Sequence, residues 1–342
     1  MTPCLCVQNI KKMTQQEFLQ DLEAFLSEWH NDETTVRVHT SGSTGTPKPL
    51  QVEKERMRAS ARLTCSFLGL KEGDTALLCM PLQYIAGKMV VVRSLVAGLK
   101  LIPVAPCGYP LKGLKEAPTF AAMIPMQVYN SLQVPEERAK LMEIKHLIIG
   151  GGAVDASLAK ELKDFPHQVW STYGMTETLS HIALRRLNGL NASEWYTPFE
   201  NVHIRLSEED TLIIHAPNVC PEELITNDIA EINEEGKFRI LGRKDNIINS
   251  GGVKIQIEQV EALLREHLSI PFQITAAPDA KFGEVVVLLY NKVEDAEHIR
   301  SICEEVLPIY WVPKHYLAID ELPLTGTGKP DRATGRKIAR GE

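Results

Sequence analysis

His146-Leu147-Ile148-Ile149 runs without a break into Gly150-Gly151-Gly152-Ala153, an apolar segment of strand length followed at once by residues that let the backbone turn. Residues 120–124, 101–104 and 76–80 are short apolar runs of the same kind, and the stretches between them carry helical patterns. This alternation between residues 55 and 170 predicts βα units on a largely parallel sheet, and hence an α/β fold.

Outward from that sheet the texture changes twice. After Pro198, residues 202–206, 211–215, 229–233 and 238–241 are short runs separated by turn residues, which predicts an antiparallel sheet or small barrel. The rest is mixed: a helix at 256–267, a strand at 284–290 and a helix at 296–306 predict a small α+β portion. The charged run Gly242-Arg243-Lys244-Asp245 marks the boundary. The expectation is a large N-terminal domain of residues 1–242, with mixed and parallel sheets plus the barrel-like β portion, and a small mobile C-terminal domain of residues 243–342. In front of the sheet, Thr14-Gln15-Gln16-Glu17 reads as a capping box, and Phe18, Leu19, Leu22, Phe25, Leu26 and Trp29 share a face of the helix that follows. Its polar face is acidic, so packing on the main domain is expected rather than on a membrane.

A chain of 342 residues exceeds what one core usually organises, in agreement with two domains of unequal size. Hydrophobic residues at 44% and charged residues at 24% exclude a disordered or collagen-like chain. A net charge of −7 without a Lys/Arg cluster argues against nucleic acid as a partner. The first residues show no charged region leading into an apolar run. The most apolar long stretch, 89–105, is interrupted by Arg93 and Lys100, so no membrane span is expected and the cytoplasm is the expected location. Seven cysteines without CxxC spacing read as reduced thiols rather than a disulfide framework or a zinc site.

Thr40-Ser41-Gly42-Ser43-Thr44-Gly45-Thr46-Pro47-Lys48 places five hydroxyls, two glycines and a lysine directly after a strand. Glycine lets main-chain N–H groups approach an anion, hydroxyls add donors and lysine adds charge, so the loop reads either as a polyphosphate cradle or as a solvated turn. A second lysine loop, Leu322-Pro323-Leu324-Thr325-Gly326-Thr327-Gly328-Lys329-Pro330, is an exposed turn or the other half of a nucleotide site. Neither has Walker spacing.

Taken in order, these loops resemble the acyl-adenylate-forming superfamily of acyl-CoA synthetases, peptide adenylation domains and luciferase. Ser171-Thr172-Tyr173-Gly174-Met175-Thr176-Glu177-Thr178 is similar to its central motif. The resemblance implies that Tyr173 stacks on adenine, Thr176 contacts the α-phosphate, and Glu177 with Thr44 holds Mg²⁺. It further implies that Gly151, Gly152 and Ala153 form the other adenine wall and that Asp228 holds the ribose, although Asn227 stands where the family usually has glycine. Arg243 would contact ribose or phosphate and Asp245 would be the hinge. Gly251 and Gly252, in Ser250-Gly251-Gly252-Val253-Lys254-Ile255, would line the tunnel for coenzyme A, and Lys329 would be the adenylation lysine.

The implied activity is ATP-dependent ligation of a small carboxylic acid to CoA through an acyl-adenylate, with release of pyrophosphate and AMP. The runs Met175-Thr176-Glu177-Thr178-Leu179-Ser180-His181-Ile182-Ala183 and Met80-Pro81-Leu82-Gln83-Tyr84-Ile85-Ala86-Gly87 resemble those of members acting on 2-succinylbenzoate in menaquinone biosynthesis. Relatives commonly have histidine where Tyr84 stands, and a longer segment before the first loop. That diacid needs a polar or cationic anchor away from its reacting end. Candidates are Ser180, His181, Lys88, Tyr84 and Arg185, with His181 as ligand or as core histidine. Another aromatic or medium-chain acid, or a carrier-protein thiol in place of CoA, stays open, as does a homodimer.

Overall fold

A computed structural model of the chain describes residues 13–39, 49–291, 295–324 and 330–342. Their packing sorts into two compact units. One holds the described residues of 1–41, 47–202 and 216–222, and the other those of 203–215 and 223–342.

In the first unit, α1 (Gln15–His30) starts at Thr14, whose hydroxyl accepts from the Glu17 N–H while the Glu17 carboxylate accepts from the Thr14 N–H at 2.8 Å, the expected capping box. Phe18, Leu22, Phe25 and Trp29 are buried, contributing about 1.5–3 kcal/mol each. Leu19 is 38% exposed, because at roughly 100° per residue it lies a quarter turn from the centre of that stripe. Strands β1 (Thr35–His39) and β2 (Pro49–Glu53) pair antiparallel, and α2 (Lys54–Leu68) follows.

The main sheet is built from β3 (Thr75–Leu78), α3 (Ile85–Ala97), β4 (Lys100–Pro103), β5 (Phe120–Met123), α4 (Pro125–Leu132), α5 (Pro135–Glu143), β6 (His146–Ile149), α6 (Ala156–Leu162), β7 (Gln168–Gly174), β8 (His181–Arg186) and β9 (Thr197–Pro198). Strand order is β4-β3-β5-β6-β7-β8-β9. The pairs from β4 to β7 are parallel and the last two antiparallel, so the expected α/β sheet is present. Strands covered on both faces have no polar side, which is why β5 is buried throughout and reads as an unbroken apolar run. Leu77, Met123, Leu147 and Ile149 from the strands pack with Val128, Leu141, Leu158 and Leu162 from the helices. In open α/β sheets ligands bind beyond the carboxyl ends of the strands, and the Gly150–Gly152 loop and the 175–180 turn lie at the ends of β6 and β7.

The second unit begins with an antiparallel meander, β10 (His203–Leu206), β11 (Thr211–Ala216), β12 (Cys220–Ile232, in this unit from residue 223) and β13 (Phe238–Arg243). β12 starts well before the expected 229–233. Its first half, Cys220-Pro221-Glu222-Glu223, carries turn and charged residues that mask a strand exposed to water. A 3₁₀ turn at Lys244–Asn246 leads to β14 (Ile247–Ser250), β15 (Val253–Gln256), α7 (Ile257–Arg265), β16 (Phe272–Asp279), β17 (Gly283–Asn291), α8 (Ala296–Val306), β18 (His315–Ile319) and α9 (Arg332–Arg340). The sheet runs β15-β14-β17-β16, with β18 parallel to β17. Ile248, Ile255, Val260, Leu264, Ile274, Leu288, Ile299 and Cys303 form its core. Buried Glu261 is satisfied by the Ile274 N–H and two bonds from Arg332, which ties α9 to α7. Among the described residues no helix is long and apolar enough to cross a membrane.

Candidate active site

In the first unit three elements converge. The loop after β6 lies against β7: the Gly150 N–H donates to the Met123 carbonyl at 3.0 Å, and a Cβ at Gly150 would stand 2.5 Å from Thr172 Oγ1. Gly151 has φ +77°. Ala153 continues the loop toward α6. These residues therefore present bare backbone, a surface on which a flat ring can lie.

β7 pairs with β8 from Trp170 to Tyr173 and then slips, so that Gly174 faces His181. A Cβ at Gly174 would meet the Ser180 carbonyl at 2.3 Å, and any side chain there would force the strands apart. The intervening turn is stapled by Thr178. Its buried hydroxyl accepts from the Met175 N–H at 3.1 Å and reaches the Ser180 carbonyl at 2.7 Å. The Leu179 N–H donates to the Thr176 carbonyl at 2.9 Å. Thr176 is thereby drawn inside at 9% exposure while Glu177 projects into solvent. Tyr173 is half-buried, its ring 5.8 Å from that of Tyr196, whose hydroxyl bonds Ser171 Oγ at 2.9 Å. Arg185 lies over the other ring of that pair, 5.3 Å from Tyr196.

The candidate acid-binding residues fall into two groups. Tyr84 occupies the N-cap position of α3 without a side-chain capping bond. Lys88, one turn on, points toward α1 and β1, where its ammonium donates to the Arg37 carbonyl at 2.5 Å and lies 3.5 Å from Glu28. Burial pushes its pKa down, opposed by Glu28. With Glu28, Arg37, Gln51 and Gln83 it lines a polar cavity of about 360 Å³. Ser180 and His181 belong to a different network, centred on Arg93 of the same helix.

Arg93 is 2% exposed. Its Nη2 donates to Ser180 Oγ at 2.5 Å, and its Nε has no partner among the described residues. Burial lowers its pKa to about 10, so it stays protonated at neutral pH. His181 behind it is 7% exposed, with Nδ1 3.2 Å from Ser180 Oγ and Nε2 3.1 Å from Thr64 Oγ1. Thr64 donates its own proton to the Ser60 carbonyl. The network therefore assigns the His181 proton to Nε2 and leaves Nδ1 to accept from Ser180. Burial, then the Arg93 charge, holds the His181 pKa well below its ordinary value, so the ring is neutral. Ser180 is half-buried and is the network's outlet to solvent. Arg93 was legible as the charge interrupting the 89–105 apolar run, but not as a site residue.

Magnesium asks for one or two carboxylates and takes its remaining ligands from phosphate and water. Glu177 fits as one such carboxylate, being exposed and outside every ion pair among the described residues. Thr44 lies outside the described residues, as do Thr40, Ser41, Gly42, Ser43, Gly45, Lys48 and Lys329.

In the second unit, pairing of β12 with β13 sets Asp228 opposite Arg243. Arg243 donates to Asp228 at 3.2 Å and to Asp245 at 3.1 Å. Asn227 donates to Asp245 at 3.2 Å, Gln256 to the Arg243 carbonyl at 2.9 Å, and Arg336 to the Asp245 carbonyl at 2.8 Å. Three residues noted separately in the sequence thus form one cluster, carboxylate beside guanidinium, suited to a sugar diol. Gly251 and Gly252, with φ +59° and +86°, make the two-residue turn of the β14–β15 hairpin, a geometry that demands positive φ at both positions.

A family model described as AMP-binding enzyme matches residues 4–219. A 2-succinylbenzoate–CoA ligase of Bacillus mycoides is 26% identical over 349 residues, covering 92% of this chain and 73% of that protein. Among solved structures, an acyl-CoA synthetase (AMP-forming)/AMP-acid ligase II-like protein from Dyadobacter fermentans is 32% identical, with 96% of this chain and 95% of that one covered and a TM-score of 0.65. The o-succinylbenzoate coenzyme A synthetase of Bacillus subtilis, in complex with ATP and magnesium ion, shares the fold at 23% identity and TM-score 0.72, over 88% of this chain and 70% of that one.

Proposed function

Since this chain belongs to the AMP-binding enzyme family and is an AMP-forming CoA ligase that uses ATP, Mg²⁺ and CoA, we propose that its acid is 2-succinylbenzoate and that Arg93 selects it. The observation that carries this reading is a protonated guanidinium, 2% exposed, with Nε unpaired and no carboxylate bonded to it among the described residues. A buried charge without a counter-charge is costly, and an anionic ligand group removes that cost. An acid with a second carboxylate supplies one. The distal carboxylate would accept from the Arg93 guanidinium, while Ser180, which accepts from Arg93 and donates to neutral His181, keeps the guanidinium oriented. The 26% identity to a 2-succinylbenzoate–CoA ligase supports the same assignment.

The reacting carboxylate attacks the α-phosphorus of ATP, the bond to pyrophosphate breaks, and an acyl-adenylate remains. The CoA thiol then attacks the acyl carbonyl carbon and AMP leaves. We assign Thr176, buried at the turn, as a donor to the α-phosphate. Tyr173 and the Gly151–Ala153 backbone hold the base, Asp228 with Arg243 holds the ribose, and Thr40 to Lys48 cradle the phosphates. Glu177 and Thr44 would hold Mg²⁺, which when bound neutralises phosphate charge. Lys329 would neutralise the transferring group, so that catalysis is mostly positioning and electrostatics. Residues 1–242 would bind ATP and acid, and residues 243–342 would carry Lys329 and the glycine turn, with Asp245 as pivot.

The deciding experiment incubates the protein with ATP, Mg²⁺, CoA and 2-succinylbenzoate beside benzoate, aromatic monoacids and fatty acids, following AMP and the thioester by mass. Selective turnover of the diacid is expected, with kcat/KM for it falling in Arg93→Met and that for any slow monoacid unchanged. Equal turnover of benzoate would end the diacid assignment while leaving the ligase chemistry in place.

A further inference from the structure

The glycine turn of the β14–β15 hairpin does not stand alone. The Gly251 N–H donates to the Phe282 carbonyl at 2.8 Å, Ser250 pairs with Gly283, and the Asn249 N–H donates to the Glu284 carboxylate at 3.1 Å. A Cβ on Gly251 would lie 3.1 Å from Phe282 Cδ1, so the ring closes one side of the turn. The segment that does this, between β16 and β17, is itself held from within. Asp279 Oδ1 accepts from the N–H groups of Lys281 and Phe282, each at 2.8 Å, while the Phe282 ring packs against the apolar cluster of Ala277, Val285, Val287 and Leu289. One tight turn thus seats another. Asp279 sets the direction of the Phe282 carbonyl, and that carbonyl fixes Gly251.

We propose that the Asp279–Phe282 turn is a positioning element for the thioester-forming half-reaction, acting by holding Gly251 and Gly252 in place for the CoA chain. The inference rests on the reading that this glycine turn serves CoA. A loop made of two glycines has no side chains to anchor it and many backbone conformations open to it, so its shape has to be imposed from outside. The Phe282 carbonyl and ring are the groups positioned to impose it. Asp279 and Phe282 touch no substrate in this scheme, and adenylation does not depend on them.

The test separates the half-reactions in the full-length enzyme. Adenylation is read by acid-dependent exchange of labelled pyrophosphate into ATP, and thioester formation by turnover of supplied acyl-adenylate with CoA. Asp279→Ala, which removes the one oxygen that accepts from both N–H groups, should slow the thioester step and raise KM for CoA, roughly tenfold in kcat/KM as expected for a small misplacement, with exchange unaltered. Asp279→Asn keeps a carbonyl oxygen to accept both N–H groups and should restore the rate. Phe282→Ala should resemble Asp279→Ala; if it does not fold, Phe282→Leu takes its place, and faster exchange of the Gly251 amide with solvent deuterium in Asp279→Ala provides a second readout. Equal loss in both half-reactions, or no rescue by asparagine, overturns the proposal. Gly251→Ala is the control on the underlying reading. If it leaves the thioester step intact, the glycine turn is not the CoA element; if it slows that step while Asp279→Ala and Phe282→Ala do not, the positioning role alone fails.

Discussion

Arg93 and Arg243 are both arginines in clusters of polar side chains, one in each compact unit, and their surroundings are opposite. Arg93 is 2% exposed, bonded to a hydroxyl and close to a neutral histidine, without a carboxylate. The Arg243 side chain is 43% exposed and shared between Asp228 and Asp245. Arg243 already has counter-charges in Asp228 and Asp245, and solvent-screened ion pairs contribute at most about 1 kcal/mol to stability. The buried arginine is unbalanced, and replacing an uncompensated buried ion with an apolar group of similar size is often neutral or stabilising. On the proposed reading the two surroundings suit different ligands: Arg243 would keep a carboxylate oriented for a neutral diol, whereas Arg93 would take a negative charge.

The largest effect that would sharpen this contrast lies at neither arginine. Lys329→Ala should slow adenylation on the order of 10²- to 10³-fold, as for a lost transition-state donor, and still convert supplied acyl-adenylate to thioester. Equal damage to both steps would remove the division of labour assigned to the C-terminal portion. Next, Arg93→Met should lower kcat/KM for the diacid on the order of 10²-fold and leave the unfolding midpoint unchanged or raised. A large drop in thermal stability, with selectivity retained, would make Arg93 a structural residue instead.

A smaller change is expected at the exposed cluster. Arg243→Ala should raise KM for ATP about tenfold, while urea titration finds less than about 1 kcal/mol lost. A loss of several kcal/mol would mean that the two clusters are not so different after all. Smallest is the pH effect at His181. Its folded pKa lies well below the ordinary value, so below about pH 6.5 the unfolded state binds the extra proton. Stability is then full above that pH and falls as pH drops toward the folded pKa, by up to about 1.4 kcal/mol per unit. Denaturant unfolding at a series of pH values should show this slope in the wild type and a shallower one in His181→Gln.

Local pattern carried much of the fold. The strand at His146–Ile149 and the helix at Ala296–Val306 have the bounds read from the chain, since each is set by contiguous residues: four apolar positions before glycines in one, an amphipathic run after Asp295 in the other. β12 escaped because half of it faces water and has no apolar alternation to show. The site divided along the same line. Gly151, Tyr173, Thr176 and Glu177 stood in recognisable local motifs, and the bulge at Gly174 explains why that motif needs its glycine. Arg93 drew notice as an interruption of a hydrophobic run, because nothing within its own helix says what it meets.

From the sequence alone came the adenylate-forming family, the α/β sheet with an α+β portion after it, and the residues from which a nucleotide site would be drawn, because all of these are written in short contiguous stretches. Which charges are compensated was decided only in three dimensions. Arg93 meets Ser180 across 87 residues, Lys88 is claimed by Arg37 across 51, and Arg243 finds Asp228 through strand register. Burial and counter-charge are properties of neighbours brought together by folding, and they set whether a charged side chain is available to a ligand.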